Sequence, residues 1–217
     1  LTAVGAPGYT PGGIATVFSG AMSSTSNSYL KRIGDADFNF GTVSWTINLE
    51  FRTQSATNPA GVESLLDMSD AADNDRVKIY LNTNGTLGVG ITDDGGASFD
   101  VLGPNQDYYD GKWHHLSIVA IMGAGQQLYG FMDGILIANN AITNVNTSLD
   151  PNEVWIGASY AANQFFNGWI AQGSISKKNT TLNENAWQYN RMIASMSVDS
   201  TARRLSGGLA QTYAQTN

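Results

Sequence analysis

Hydrophobic and polar residues alternate in short stretches along most of this chain, which is the period of a β-strand with one buried face. The clearest stretch runs from Ser44 to Arg52, where every second residue is apolar: Trp45, Ile47, Leu49 and Phe51. The residues between them are Thr46, Asn48, Glu50 and Arg52. This alternation predicts a strand whose apolar side faces a core and whose polar side faces solvent or a ligand.

Similar stretches predict further strands at residues 14–18, 29–32, 62–68, 76–81, 86–92, 97–102, 154–157 and 168–176. Several are separated by dipeptides that two-residue turns prefer, namely Asn84-Gly85, Asp94-Gly95 and Asp133-Gly134. The long helices that a parallel α/β fold needs are not evident. We therefore predict an all-β fold, a two-sheet antiparallel β-sandwich. Helical spacing at residues 182–196 predicts one short C-terminal helix packed on it.

The two histidines of the chain are adjacent, in a predicted strand that follows the turn at Asp110-Gly111. Neighbouring strand residues point to opposite faces, so His114 and His115 cannot both serve one site unless the strand bulges. Their spacing also differs from that of a metal-ligand pair on a helix. We interpret both as hydrogen-bonded parts of the scaffold.

Composition narrows the possible functions. The 217 residues include no cysteine, which excludes disulfides, thiolate catalysis and cysteine-ligated zinc. A net charge of -7 and a pI near 4.6 disfavour binding to the phosphates of nucleic acids. The longest apolar run, at 116–122, is too short to cross a bilayer, so we expect no membrane insertion.

Several segments, in order, resemble laminin-G-like domains of the concanavalin A-like lectin/glucanase superfamily. Residues 18–30 and 45–52 resemble the opening of such domains, and 110–120 are similar to their D-G-x-W-H-H strand. Residues 128–136 resemble their L-Y-x-D-G hairpin, and 156–170 their closing strands. The resemblance implies a pentraxin-related, concanavalin A-like jelly roll in which the Trp-His-His element is structural. We assign residues 14–196 to this domain, 1–13 to an N-terminal arm or linker, and 197–217 to a C-terminal tail.

The superfamily includes glucanases, which need two carboxyl groups on either side of the bond that they cleave. Glu63 and Asp67 are predicted to share a strand face but to lie roughly 13 Å apart at strand rise. Glu50 stands alone on its strand. We therefore predict that the protein is not an enzyme.

Calcium binding is suggested by Asp73-Asn74, which resembles the pentraxin run that donates oxygens to calcium. The pentraxin site is completed by an acidic loop, but the corresponding stretch here, residues 157–164, contains no carboxylate. A calcium ion needs six to eight oxygen ligands. This leaves room for one weakly bound Ca²⁺ near Asp73 and Asn74 or at Asp93-Asp94, with solvated acidic loops as the alternative.

A sugar site is predicted at one rim of the sandwich, because sugars bind to aromatic faces flanked by polar groups. The candidate aromatic platforms are Tyr160, Phe165, Tyr108 and Tyr109. The candidate polar partners are Asn163, Gln164, Asp93 and Asp94.

Two functions remain open. The first is a noncatalytic glycan-binding or adhesion module of an extracellular, cell-surface or virion-surface protein. The second is a structural subunit, such as a phage decoration or fibre component or part of a surface filament. In the second case, the termini at 1–13 and 197–217 would mediate assembly into a homo-oligomer or a larger particle.

Overall fold

The described part of the chain consists of β-strands arranged in two antiparallel sheets. The computed structural model describes residues 2–4, 17–24, 28–34, 38–70, 72, 74–93, 100–102, 106–143, 145, 148–160 and 162–177, with the backbone alone for residues 2–4, 17–24, 100–102 and 172. The predicted C-terminal helix and the tail at 197–217 lie outside these residues. Among the residues described, no helix is long and apolar enough to cross a lipid bilayer.

The strands, in chain order, are β1 (Thr2–Val4), β2 (Val17–Ser24), β3 (Tyr29–Arg32), β4 (Trp45–Thr53), β5 (Glu63–Ser69), β6 (Arg76–Leu81), β7 (Leu87–Thr92), β8 (Asp100–Leu102), β9 (Trp113–Ile121), β10 (Gln127–Met132), β11 (Ile135–Ala141), β12 (Glu153–Ile156) and β13 (Gly168–Ser176). The seven-stranded sheet has the order β1-β3-β12-β5-β6-β7-β8. The six-stranded sheet has the order β11-β10-β9-β4-β13-β2. The predicted antiparallel sandwich is confirmed.

The core lies between the two sheets and is built from alternate residues of each strand. In β4 the predicted apolar side is buried, and the Trp45 ring stacks on Phe40 with the ring centroids 4.8 Å apart. Across the core, β6 contributes Val77, Ile79 and Leu81. Each such side chain contributes on the order of 1.5–3 kcal/mol when it is removed from water. The remaining residues of these strands point away from the core and form the two outer faces.

The N-terminal segment departs from the prediction of an arm at residues 1–13. Residues 2–4 form β1, an edge strand that pairs with β3. The strand predicted at 14–18 corresponds to β2, which begins at Val17 and ends at Ser24. A segment as short as residues 2–4 contains too few residues to show an alternating pattern. Such a strand forms because it pairs with the edge of a neighbouring strand, here β3.

His114 and His115 point to opposite faces of β9, as predicted. The His114 ring faces the core, where it shares hydrogen bonds with Asp133 at 2.8 Å and with Asp110 at 3.1 Å. The prediction of a hydrogen-bonded scaffold role is confirmed for His114. His115 is buried as well, but among the described residues neither of its ring nitrogens has a hydrogen-bond partner, so the predicted hydrogen bonding is wrong there.

Candidate functional site

A row of charged and aromatic side chains crosses the outer face of the seven-stranded sheet. Lys31 of β3 lies opposite Trp155 of β12, Trp155 lies opposite Asp67 of β5, and Asp67 lies opposite Lys78 of β6. Residues that are directly opposite on antiparallel strands point to the same face. Their neighbours Leu30, Ile156 and Leu66 face the core. We call Lys31, Trp155, Asp67 and Lys78 the central row.

The loop that follows β12 lies against one side of the central row. We call residues 157–160 and 162–166 the covering loop. Its backbone is tied to β5 by two hydrogen bonds, from Gly157 N to Leu65 O at 2.9 Å and from Ser64 N to Gln164 O at 2.8 Å. The backbone N–H of Tyr160 donates to the carboxylate of Asp67 at 2.9 Å. The loop is therefore fixed to the sheet at several points rather than only at its ends.

The covering loop holds two residues in a strained conformation. Ala162 and Gln164 have φ angles of 55° and 50°, in the left-handed region that side chains other than glycine disfavour. Each costs of the order of 1–2 kcal/mol relative to ordinary backbone. Hydrogen bonds between Ser159 and Asn163 and from Ala162 N to Ser159 O hold the turn. Strain of this kind persists only where the surroundings impose it and concentrates at binding sites.

Four aromatic rings pack together beneath and beside this loop. Tyr29 stacks on Trp155 with ring centroids 5.2 Å apart, and Phe165 approaches Tyr29 at 6.1 Å. Tyr160 meets Trp155 edge to face at 6.0 Å. Tyr29 and Trp155 are buried, whereas Tyr160 and Phe165 are half-buried. Tyr160 and Phe165 are therefore the partly exposed rings of this aromatic cluster, and Tyr29 and Trp155 support them from beneath.

Charged groups surround the aromatic cluster. The ammonium group of Lys31 lies 5.0 Å from the centroid of the Trp155 ring, a cation–π contact. The indole N–H of Trp155 donates to Glu153 at 3.2 Å. The ammonium group of Lys78 donates to the side-chain carbonyl of Gln164, which joins the central row to the covering loop.

Asp67 anchors the arrangement. Its carboxylate is fully buried and accepts two hydrogen bonds from the Arg76 guanidinium, at 2.9 and 2.6 Å. Burial raises the pKa of Asp67, while the bonds from Arg76 and from the Tyr160 N–H oppose the rise. A paired, hydrogen-bonded carboxylate of this kind fixes geometry, because removing one partner leaves the other charge buried. Asp67 thus positions Tyr160 through the loop backbone.

Four predicted site residues, Tyr160, Asn163, Gln164 and Phe165, lie together in the covering loop. Asn163 and Gln164 are exposed, and the Ser159 hydroxyl donates to the side chain of Asn163. Lys31, Lys78, Tyr29 and Trp155 were not among the predicted site residues. The outward position of Trp155 could have been inferred from its place between the core residues Val154 and Ile156. The two lysines could not, because their proximity depends on the pairing of strands that are distant in sequence.

The predicted platforms Tyr108 and Tyr109 are corrected by the structure. They are 2% and 3% exposed, and the Tyr108 ring packs edge to face on His114 at 5.6 Å. Burial raises the pKa of Tyr109 to about 12, with a further contribution from the carboxylate of Glu63. A ring enclosed in the core cannot present its face to a sugar, so neither tyrosine belongs to the candidate site.

The prediction of one common rim is also corrected. Asp93 follows the end of β7, and it lies near Asp70 and Asp75, which flank the turn between β5 and β6. The covering loop is at the opposite end of these strands, because Glu153 pairs with Ser69 whereas Ile156 pairs with Leu66. Asp93 therefore does not share a site with Tyr160 and Phe165. Asp94 lies outside the described residues.

The acidic end of the sheet includes Asn74, one of the two predicted calcium ligands. Its backbone N–H donates to Asp70 at 2.5 Å, and Asp73 lies outside the described residues. Burial raises the pKa of Asp75 to about 6, and neighbouring carboxylates add to the rise. Among the described side chains, no group of three or more histidines or carboxylates is arranged to hold a metal ion. Calcium binding here stays a prediction.

The carboxyl groups of Glu63 and Asp67 do not share a face, contrary to prediction. The register of β5 against β6 shifts between Ser64 and Leu66, which makes Leu65 the extra residue of a β-bulge. Glu63 is thereby turned toward Tyr109 and accepts a hydrogen bond from the Asn167 N–H at 3.1 Å. The two carboxyl groups therefore cannot act on one bond.

Glu50 and His115 lie directly opposite each other on the outer face of the six-stranded sheet. Burial raises the pKa of Glu50 to about 7 and lowers the pKa of His115, although the charge of Asp133 acts against the second shift. Both are nine-tenths buried. Glu50 was predicted to stand alone on its strand, because a cross-strand neighbour cannot be identified from the sequence of a single strand.

The fold and the loop-covered outer face define a jelly-roll sandwich with a candidate binding site on the seven-stranded sheet. A family model described as "Concanavalin A-like lectin/glucanases superfamily" matches residues 24–184. The chain belongs to this laminin-G-like family, as the resemblance implied.

Solved structures with the same fold are distant in sequence. The botulinum neurotoxin serotype G binding domain is 15% identical, with a TM-score of 0.62 over 81% of this chain and 42% of that chain. The binding domain of botulinum neurotoxin DC in complex with SialylT is 15% identical, with a TM-score of 0.65 over 88% and 45%. The Ruminococcus gnavus IT-sialidase CBM40 bound to alpha2,3 sialyllactose is 16% identical, with a TM-score of 0.56 over 76% and 100%. This chain thus spans less than half of the toxin domains, and no curated protein matches it.

Proposed function

We propose that the protein is a noncatalytic glycan-binding module that holds its ligand on the aromatic cluster beside the covering loop. The observation that carries the proposal is the placement of the half-buried rings of Tyr160 and Phe165 next to the exposed amides of Asn163 and Gln164. An aromatic face can pack on the C–H groups of a sugar ring while amides pair with its hydroxyls.

The rigidity of the covering loop supports this role. The loop backbone is held by hydrogen bonds to β5 and Asp67, so the positions from which its side chains project are fixed. A site that is already ordered loses less conformational entropy on binding. Two structural neighbours are complexes with SialylT or with sialyllactose, which is consistent with this use of the fold. We place the module in an extracellular, cell-surface or virion-surface protein, where such ligands are found.

A glycan array with the whole chain tests the proposal, in the presence and absence of Ca²⁺. We expect binding to at least one glycan class, and a loss of about tenfold or more in affinity for Tyr160→Ala and Phe165→Ala, which corresponds to about 1.4 kcal/mol. Tyr129→Ala is the matched control, since Tyr129 is a half-buried ring on the outer face of the six-stranded sheet. Absence of binding by folded protein in both conditions would contradict the proposal. A requirement for Ca²⁺ would show that an ion contributes.

A further inference from the structure

Positive charge is concentrated on the outer face of the seven-stranded sheet, although the chain as a whole carries a net charge of -7. Among the side chains that the structure describes, Lys31, Arg76 and Lys78 point to this face. The described acidic residues placed among them are Asp67 and Glu153. The local balance is therefore opposite in sign to that of the molecule.

Both acidic side chains on this face are engaged by neighbouring donors. Asp67 is enclosed by Arg76 and the Tyr160 N–H, and Glu153 accepts the indole N–H of Trp155. The buried ion pair of Asp67 and Arg76 has little net charge at a distance. Glu153 keeps its negative charge, because the indole N–H is a neutral donor. The ammonium groups of Lys31 and Lys78 therefore exceed the one uncompensated carboxylate beside the aromatic cluster, and the field there is positive.

The two lysines stand at the ends of the central row. Three strand spacings separate them, so their Cα atoms are about 14 Å apart, with Trp155 and Asp67 between. The Lys31 ammonium is held over the Trp155 ring, and the Lys78 ammonium is held beside Gln164 of the covering loop. A sugar chain resting on Tyr160 and Phe165 would thus have an ammonium group within reach on either side.

We infer that the site is selective for glycans that carry a negative charge, a carboxylate or a sulfate, over neutral glycans of the same core. This inference rests on the proposed function, because it names the ligand class of the same site. Lysine pairs with either anion as a compact point charge, so the structure supports both sources of charge. Salt weakens attraction between partly exposed charges, and the selectivity must decline with it.

Isothermal titration calorimetry with three forms of one lactose core tests the inference: neutral, carboxylate-bearing and sulfated. We expect at least one acidic form to bind tenfold or more tightly than the neutral form in 50 mM salt. Lys31→Gln and Lys78→Gln should each reduce that preference severalfold, because each substitution weakens binding of the acidic forms more than binding of the neutral form. Lys112→Gln is the matched control, because Lys112 is an exposed lysine that pairs with Asp110, away from the central row.

The possible results distinguish a failure of charge selectivity from a failure of glycan binding itself. If the neutral form binds as tightly as both acidic forms, the inference is wrong and glycan binding stands. If Lys112→Gln lowers the preference as much as the central-row variants do, the charge acts from the whole surface and the inference is also wrong. If no form binds and the glycan array is empty, the proposed function itself fails. Circular dichroism confirms that each variant is folded.

Discussion

His114 and His115 are consecutive in the chain but have opposite electrostatic surroundings. Burial acts to lower the pKa of His114, but hydrogen bonds and charges from Asp133 and Asp110 outweigh it and raise the pKa above its usual value. Burial lowers the pKa of His115, with only partial opposition from Asp133. The face to which each ring points decides which carboxylates it can reach.

These are the two histidines of the chain, so an NMR titration of their ring protons will report each one directly. We expect two separate transitions, one above the ordinary histidine value of about 6.5 for His114 and one below it for His115. His115→Gln assigns the signals by removing the lower transition. Asp133→Asn should lower the pKa of His114, because it removes the nearest charge. Two transitions that coincide near pH 6.5 would contradict the structure.

Alternation in sequence was enough to place the two histidines on opposite faces, but not to identify their partners. Asp110 is four residues from His114 and within its own turn, whereas Asp133 reaches it from the hairpin between β10 and β11. That hairpin turns at Asp133-Gly134, where both residues have positive φ angles. The turn type was predictable from the dipeptide, but the contact depends on the pairing of β10 with β9.

At the scale of elements, the first residue of β13, Gly168, lies where the neighbouring backbone leaves no room for a side chain. Gly168 pairs with Thr53 of β4 and with Ser24 of β2. A Cβ atom added there would lie 2.2 Å from the backbone oxygen of Arg52 and 2.6 Å from the Phe166 ring. A backbone oxygen in a paired strand cannot move aside without loss of sheet hydrogen bonds.

Gly168→Ala is therefore expected to lower the free energy of unfolding by about 1–3 kcal/mol, the usual cost of overpacking. Gly61→Ala is the matched control, since a Cβ atom there meets nothing within 4 Å. It should change stability by less than about 1 kcal/mol, and in the stabilising direction through the unfolded chain. Urea denaturation followed by tryptophan fluorescence measures both. Equal effects of the two substitutions would refute the assignment of Gly168 to a crowded strand.

Most strands could be predicted from the sequence because their core and outer residues alternate locally; β6 and β13 have the predicted bounds. The bulge at Leu65 could not, since an extra residue is defined only against the partner strand. The dependence on partner strands also explains why only part of the candidate site was predicted. The predicted part of the site is one short segment of the sequence with aromatic and polar side chains, namely Tyr160, Asn163, Gln164 and Phe165. The lysines Lys31 and Lys78 lie near it only because the strands are arranged in the order β3-β12-β5-β6. Asp93 was assigned to the wrong end of the sandwich, because the end at which a loop lies depends on the direction of the strand before it.

For the molecule as a whole, burial of acidic groups links stability to pH. Burial raises the pKa of Glu50 to about 7 and of Asp75 to about 6, and it also raises those of Glu63 and Asp67. Ionisation of a carboxyl group whose pKa is higher in the folded protein than in the unfolded chain lowers the stability of the folded state. Stability should accordingly decline from about pH 5 toward pH 8. Solubility follows the net charge instead and should be lowest near the pI of 4.6.

Glu50→Gln tests this link at a buried carboxyl group whose pKa is raised to about 7. The pKa of Glu50 rises from 4.5 in the unfolded chain to about 7 in the folded protein, so its stabilising contribution is complete below pH 4.5 and is lost as pH rises through 7. The loss amounts to about 3 kcal/mol, at ~1.4 kcal/mol for each pKa unit. The variant cannot ionise at this position, so its free energy of unfolding should match that of the wild type near pH 4.5 and exceed it by about that amount at pH 8. Urea denaturation across this range measures the difference, and a difference that does not vary with pH would show that Glu50 is ionised normally in the folded protein.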